Sequence, residues 1–341
     1  MSDPQSTLKP NTTPTRRSQG QIVVARALWY VKPGVAEIRT ERLAPPSPGQ
    51  VRIAAEYSAI SRGTERLVAL GRVPESEWPR MRAPLQAGAF SFPVKYGYSA
   101  TGTITAGPDH LIGKRAFVLH PHQDYFQAPE AMLSLLPSTV PSRRGVLAAN
   151  METALNAHWD AGTTLGDRVL VVGAGIVGLL TAYLARQIAG TEVAILDVNP
   201  ARAPLAEALG IPFVSPSEMP KDNRIVFHAS ATSGGLEAAL DACAFEGTVV
   251  EMSWYGSEAV TIGLGGAFHS RRLKILSSQV GHVAPSHRGM LKHADRLARA
   301  IALLDDVRLD ALVAEDVRFE DLPGTLPQIW SSSGLPPIIR Y

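Results

Sequence analysis

Hydrophobic and polar positions divide the chain into two regimes. From Gln21 to about Ala148 the apolar residues come in short or alternating runs, at 22–30, 51–57, 101–106 and 116–120. Loops rich in proline and glycine, such as Ala44-Pro45-Pro46-Ser47-Pro48-Gly49, separate them. This pattern predicts a mostly antiparallel β domain. Beyond Asn150 the character changes. A helix is predicted over 151–161, then strands at 169–172, 192–196, 225–228 and 248–253 alternating with helices at 176–189, about 202–209 and 236–242. Such alternation predicts a parallel sheet with helices on both faces. Pro204 falls inside the second of those helices, which must start late or kink. A buried strand is expected over 273–280 and a basic amphipathic helix over 287–304. Strands expected at 312–319 and 337–341 are read as returning to the first domain. The fold class is therefore α/β, with a β-rich domain over 21–148, completed by about 305–341, and a doubly wound parallel-sheet domain over 149–304.

Composition narrows the field. The chain has 341 residues, 45% hydrophobic and 19% charged, an ordinary globular balance. Residues 1–20 are rich in Ser, Thr, Pro and Gln and are read as a disordered tail. Thirty-three basic residues against 31 acidic ones leave a net charge of +2, so no nucleic-acid partner is expected. The longest apolar run, 169–185, is too short and too rich in glycine to span a membrane. One cysteine, Cys243, excludes an intramolecular disulfide and every Cys-pair zinc site, and fits a reducing, cytoplasmic setting.

The strongest motif is Gly173-Ala174-Gly175-Ile176-Val177-Gly178. With 29 glycines in the chain, such a spacing arises by chance about 0.2 times, so context must decide. Here it follows an apolar strand, opens a helix, and precedes an acidic residue, Asp197, at the end of the next strand. That arrangement is the fingerprint of a dinucleotide site. The glycines permit a tight turn and close approach of a pyrophosphate, the helix N-terminus offers unpaired N–H groups, and the carboxylate accepts ribose hydroxyls. Gly173, Gly175, Ile176, Val177, Gly178, Asp197, Asn199 and Arg202 are the candidate cofactor residues, with Ser230 at the carboxyl edge of a later strand. Asp197 repels a 2′-phosphate, and Arg202 offsets it only if the loop folds back. NAD(H) is expected over NADP(H).

Two further segments carry a family resemblance. Ser61-Arg62-Gly63-Thr64-Glu65 resembles the Cys-Gly-Thr/Ser-Asp segment of the medium-chain dehydrogenase/reductase superfamily, and Lys95-Tyr96-Gly97-Tyr98-Ser99-Ala100-Thr101-Gly102 resembles its Gly-His-Glu-x-x-Gly segment. Among branches, these segments are most similar to the hydroxyethyl bacteriochlorophyllide dehydrogenase type. The resemblance implies a GroES-like catalytic domain plus a Rossmann domain, a small-molecule substrate in the cleft between them, and dimers or tetramers, with the homodimer expected. It also implies that the loop at 269–272 and Ser277-Ser278-Gln279 approach the nicotinamide or substrate. Where zinc-dependent members place metal ligands, this chain has Arg62, Tyr98 and Ser99, and the Cys-rich structural-zinc loop is absent. No zinc and no other metal is expected.

Hydride transfer to a carbonyl develops charge on oxygen, which some group must stabilise or protonate. Arg62 is a candidate to polarise the carbonyl, or an ion-pair partner of Glu65. Tyr98 offers a phenol, its pKa lowered if Arg62 is near, or is a packed core residue. Thr64 matches the hydroxyl that relays protons in relatives, or is a turn residue. Glu152 orients a substrate hydroxyl, pairs with Arg62, or only charges a helix N-terminus. His122, in His120-Pro121-His122, is a candidate substrate contact or loop residue. Arg271 and Arg272 bind an acidic substrate or are solvated. The basic face at 287–299 is read as solvated. The leading expectation is a zinc-independent, NAD(H)-dependent oxidoreductase acting on an alcohol/carbonyl pair. A quinone or enoyl reductase and a catalytically silent dinucleotide sensor remain open at this stage.

Overall fold

The computed structural model describes residues 20–341. All of the expected tail except Gly20 therefore lies outside the described residues. Three sheets organise the chain. In the first, Val23–Lys32 pairs antiparallel with Val35–Leu43, and the short strands Val94–Lys95 and Ala87–Gly88 extend it. In the second, Gln50–Ala59 is central. It pairs with Ala100–Ala106 on one side and with both Tyr125–Pro129 and Ile338–Arg340 along the other. The last chain segment thus closes back onto strands nearly 300 residues earlier, and Asp316–Arg318 pairs parallel to it.

The third sheet is six-stranded and parallel. Its order is Phe213–Val214, Glu192–Leu196, Arg168–Val172, Asn223–His228, Cys243–Glu251, Lys274–Ser277. The order reverses direction beside Arg168–Val172, the strand that leads into the glycine motif, and ligands of open α/β sheets bind at such a switch point. Ile176–Arg186 and Ala148–Ala161 cover one face, packing Leu179, Leu180, Met151 and Ala154 against Val169 and Val171. Ser233–Ala242 covers the other with Leu236 and Leu240 against Leu170 and Val226.

Several boundaries differ from the sequence reading for identifiable reasons. The helix carrying Pro204 does start late, at Ala203, after a single tight turn over Pro200–Arg202 capped by Asn199. The expected buried strand over 273–280 is only Lys274–Ser277, and it is exposed because it forms the edge of the parallel sheet. The expected strand over 312–319 is a short strand between two 3-10 turns. The basic helix is shorter than expected, His293–Ala302.

Candidate active site

The glycine motif makes the turn that its spacing predicts. Gly173 adopts φ +109°, a conformation that a side chain would strain. A Cβ on Gly178 would sit 1.9 Å from the Gly173 carbonyl oxygen, so helix and strand approach as closely as glycine permits. A Cβ on Gly175 would meet nothing within 4 Å, which leaves open space at the start of Ile176–Arg186. The helix N-terminus has no side-chain cap there, so its first N–H groups face a volume suited to a pyrophosphate. Residues and geometry fit a dinucleotide.

Asp197 does more than wait for a ribose. Its Oδ2 accepts the Ala174 N–H at 2.7 Å and its Oδ1 accepts the Asn199 N–H at 2.8 Å. The carboxylate thus braces the glycine turn from the neighbouring strand. Arg202 folds back toward it, with 5% of its surface exposed, and donates from Nη2 to the Ser333 carbonyl at 2.5 Å. Asn199 Nδ2 reaches the same carbonyl at 3.4 Å. Arg62 comes to this place from the other side of the cleft, donating from Nη1 to the carbonyls of Ser332 at 2.5 Å and Gly334 at 2.6 Å. Burial lowers its pKa, and the charges of Arg202 and Arg66 lower it further, against the opposing pull of Asp197.

This placement corrects the expectation for Arg62. It forms no ion pair with Glu65 and does not tune Tyr98. The Tyr98 hydroxyl instead faces the Ser61 and Thr64 side chains, which act to lower its pKa, while burial, the larger effect, holds it above the ordinary value. Tyr98 packs where two apolar clusters meet, edge-on to Tyr96, with Trp254 in one of the same clusters. Thr64 opens the short helix Thr64–Ala69. Structure therefore brings Tyr98, Thr64 and Ser61 together and sets Arg62 apart from them.

Glu65, which the sequence reading passed over as a functional residue, anchors the segment. Fully buried, its Oε1 accepts Tyr30 OH at 2.6 Å and lies 3.0 Å from His122 Nε2, while Oε2 accepts the Ser61 N–H at 3.1 Å. His122 Nδ1 is 2.8 Å from Ser58 Oγ. His122 is 0% exposed, so as a substrate contact it is corrected to a buried brace. His120 stacks on Phe126.

Glu152 is also corrected. Its Oε1 lies 3.0 Å from Nε of Arg296, and both side chains are buried. Arg296 further donates to Asn156 Oδ1 and to the carbonyls of His282 and Val280. Glu152 therefore pairs with Arg296 and not with Arg62. Arg296 itself lay on the face read as solvated; its neighbours Leu297, Ala300 and Ile301 are buried with it and were the available signal. Arg271 and Arg272 precede Lys274–Ser277 and so stand at the amino edge of the sheet, opposite the ligand edge. Arg271 donates to the Cys243 carbonyl and Arg272 pairs with Glu246, which removes them from a substrate role.

At the carboxyl edge, Ser230 Oγ is 2.7 Å from His228 Nε2, and His228 Nδ1 is 2.7 Å from Glu251 Oε2. Tyr255 OH joins Glu251 at 3.0 Å. Burial acts to raise the Glu251 carboxyl, but bonds from His228 and Ser253 outweigh it and hold it low. Ser277 is exposed at the same edge, in register with Glu251. Loop residues 254–257 cross from here to the β-rich part, where Ser257 N–H meets the Arg72 carbonyl. Among the described residues, no three His, Cys, Asp or Glu side chains are grouped to hold a metal ion, and no helix is long and apolar enough to cross a membrane.

No family model matches the chain. Among curated proteins it is 28% identical over 245 residues to 2-desacetyl-2-hydroxyethyl bacteriochlorophyllide A dehydrogenase of Rhodobacter capsulatus, covering 69% of this chain and 74% of that protein. It is 24% identical over 190 residues to sorbitol dehydrogenase of Gallus gallus, covering 54% of this chain and about half, 52%, of the relative. Solved structures match along nearly the whole chain. A protein described as a zinc-binding dehydrogenase of Sinorhizobium meliloti, bound to NADP, superposes with TM-score 0.74 at 18% identity, over 94% of this chain and 100% of that one. An alcohol dehydrogenase of Escherichia coli CFT073 with NADH gives 0.72 at 16%, over 93% and 99%. The structures establish the shared fold, a β-rich part joined to a Rossmann-like parallel sheet. In sequence the chain is thus similar to these dehydrogenases, and in fold to the solved ones.

Proposed function

We propose that the chain is a nicotinamide-dinucleotide-dependent oxidoreductase that interconverts an alcohol and a carbonyl compound. The observation that carries this reading is the glycine turn at 173–178, braced by Asp197 and open at the helix N-terminus. When bound, the nicotinamide supplies hydride chemistry. Tyr98 stays protonated, because burial raises its pKa, and it offers a hydrogen-bond donor to oxygen as charge develops there. Ser61 and Thr64 orient that phenol, and Glu65 fixes Ser61. The sequence-based preference for NAD(H) over NADP(H) rested on Asp197 acting alone. Each oxygen of the carboxylate accepts one backbone N–H and keeps a further lone pair, but Arg202 has folded back toward it, so the carboxylate no longer acts alone.

The proposed chemistry is independent of zinc. The donors at the matched positions do not fit the ion: a guanidinium committed to two carbonyls, a phenol kept protonated, and Ser99, whose hydroxyl donates to the Val146 carbonyl. We also propose a homodimer formed through the exposed edge strand Lys274–Ser277. The test of the activity is oxidation of NADH and NADPH by chelator-dialysed protein against ketones, aldehydes, quinones and enones. Alcohol formation from a carbonyl after dialysis supports the proposal. A saturated carbonyl from an enone would instead make it a C=C reductase, and activity restored only by zinc would overturn the metal-free part.

A further inference from the structure

Three side chains at the carboxyl edge of the parallel sheet stand in a line that the proposed hydride chemistry does not use. Glu251 Oε2 is 2.7 Å from His228 Nδ1, and His228 Nε2 is 2.7 Å from Ser230 Oγ. The Ser253 N–H donates to the other oxygen of Glu251 at 2.7 Å and Tyr255 OH donates to Oε2 at 3.0 Å, so the carboxylate is held in place. A carboxylate only accepts, so it takes the proton of Nδ1 and fixes that tautomer of the ring. Nε2 is then an acceptor, and the Ser230 hydroxyl donates to it. The Thr232 hydroxyl lies 3.0 Å from Ser230 Oγ, and its own oxygen accepts the Gly235 N–H at 3.1 Å, which leaves its proton for Ser230. His228 is wholly buried and Ser230 half-buried, so the serine hydroxyl is the end of the line that a ligand can reach.

The backbone exposes this hydroxyl on a sharp turn. Ser230 lies between the strand Asn223–His228 and the helix Ser233–Ala242, and the next residue, Ala231, is held at φ +54°, a costly conformation for a residue with a side chain. A Cβ on Gly235 would lie 2.1 Å from Ser230 Oγ and 2.8 Å from His228 Nε2, so the helix crosses the pair only with glycine there. A Cβ on Gly234 would meet nothing within 4 Å, which leaves room for a small group. The Ala231 N–H is committed to Ser253 Oγ. The first turn of the ten-residue helix stands beside Ser230 instead, and its positive end favours negative charge growing on an oxygen there. We propose that Ser230, His228 and Glu251 form a nucleophilic triad that hydrolyses small acyl esters, an activity separate from hydride transfer. Ser230 Oγ bonds to the acyl carbon while its proton passes to His228 Nε2. The ester C–O bond then breaks, and the alcohol leaves with that proton. Water, deprotonated by the same nitrogen, attacks the acyl-serine, and the acid departs as Ser230 regains its proton.

The glycine turn lies against the same residue, since a Cβ on Gly173 would be 2.8 Å from the Ser230 nitrogen. The experiment therefore uses the intact protein with no dinucleotide added. The probe is p-nitrophenyl acetate, with nitrophenolate release followed by absorbance and the acetyl group located by peptide mass spectrometry after acid quench. The expected result is turnover with a transient acetyl group on Ser230. Ser230→Ala should abolish labelling there and lower ester turnover about a hundredfold or more. His228→Gln should lower turnover to a similar extent, and Glu251→Gln less, because the carboxylate only orients the ring. Ser230→Cys, which keeps a nucleophile, should still be acylated, and this guards against a variant that fails to fold. Ser217→Ala, at an exposed serine elsewhere, should match the wild type. Acetyl groups found only at other positions, or ester turnover as fast in Ser230→Ala as in the wild type, would overturn the triad. Either result leaves the oxidoreductase reading to its own assay.

Discussion

Nε of Arg296 lies 3.0 Å from Oε1 of Glu152, and both side chains are nearly withdrawn from solvent. The pair joins the helices Ala148–Ala161 and His293–Ala302, and Asn156 extends it to the Ala284 N–H and, through its amide, to Asp160. Burial raises the Glu152 carboxyl against the pull of Arg296, so the ion pair depends on its partner. Removing one member strands a buried charge. Arg296→Met should therefore cost about 3–5 kcal/mol in urea denaturation. The double variant Glu152→Gln with Arg296→Met should recover a large part of that loss. Equal losses for the single and double variants would show that packing, not charge, holds the helices.

Tyr98 and Thr64 make a different kind of prediction. If the phenol donates to the reacting oxygen, Tyr98→Phe should lower kcat by about a hundredfold or more with no change in dinucleotide Kd. Thr64→Ala, which frees the phenol from one of its two partners, should lower kcat less and shift its pH profile. Unchanged turnover in Tyr98→Phe would remove the phenol from the chemistry.

The sequence disclosed the dinucleotide turn because its signals are local: an apolar strand, three glycines at fixed spacing and an acid at the next strand end. It also disclosed the late start of the helix at Pro204. It did not disclose where Arg62 points, since that depends on carbonyls 270 residues further along. The helix Leu322–Ser331 went unread because Pro323, Gly324 and Pro327 all argue against it locally. Leu322, Leu326, Ile329 and Trp330 bury against the β-rich core, and that packing overrides propensity. Glu65 was visible only as a polar residue after Thr64; two of its three partners, Tyr30 and His122, come from distant segments.

Acid should destabilise the protein through buried histidines. His158 places Nδ1 3.0 Å from Thr163 Oγ1 and Nε2 2.9 Å from the Thr181 carbonyl, and burial pulls its pKa from 6.5 to about 4. Burial takes His120 to about 3. The unfolded chain binds these protons near pH 6.5 and the native state does not, so stability is full above that pH. It is lost as pH falls from about 6.5 toward about 4. Urea denaturation at pH 7.5 and pH 5.0 should differ by about 2 kcal/mol for each such histidine. His158→Gln should shrink the difference by about that amount, and an unaltered difference would mean the ring is not neutral in the native state.

The edge strand Lys274–Ser277 carries the last prediction. Ile275 and Leu276 are 39% and 36% exposed although they belong to a run of apolar residues, and one side of the strand is unpaired in the single chain. An exposed apolar edge invites another strand. Two copies meeting antiparallel about a two-fold axis would pair both edges at once and close the assembly, whereas a head-to-tail contact would continue without limit. A discrete dimer is thus the expected species in light scattering at micromolar concentration. Leu276→Lys should drive it to monomer by placing like charges across the axis, while Val307→Lys, at another exposed apolar position, should leave it intact. A wild-type protein that is monomeric throughout that range, or a Leu276→Lys variant that stays dimeric, would place the contact elsewhere or remove it.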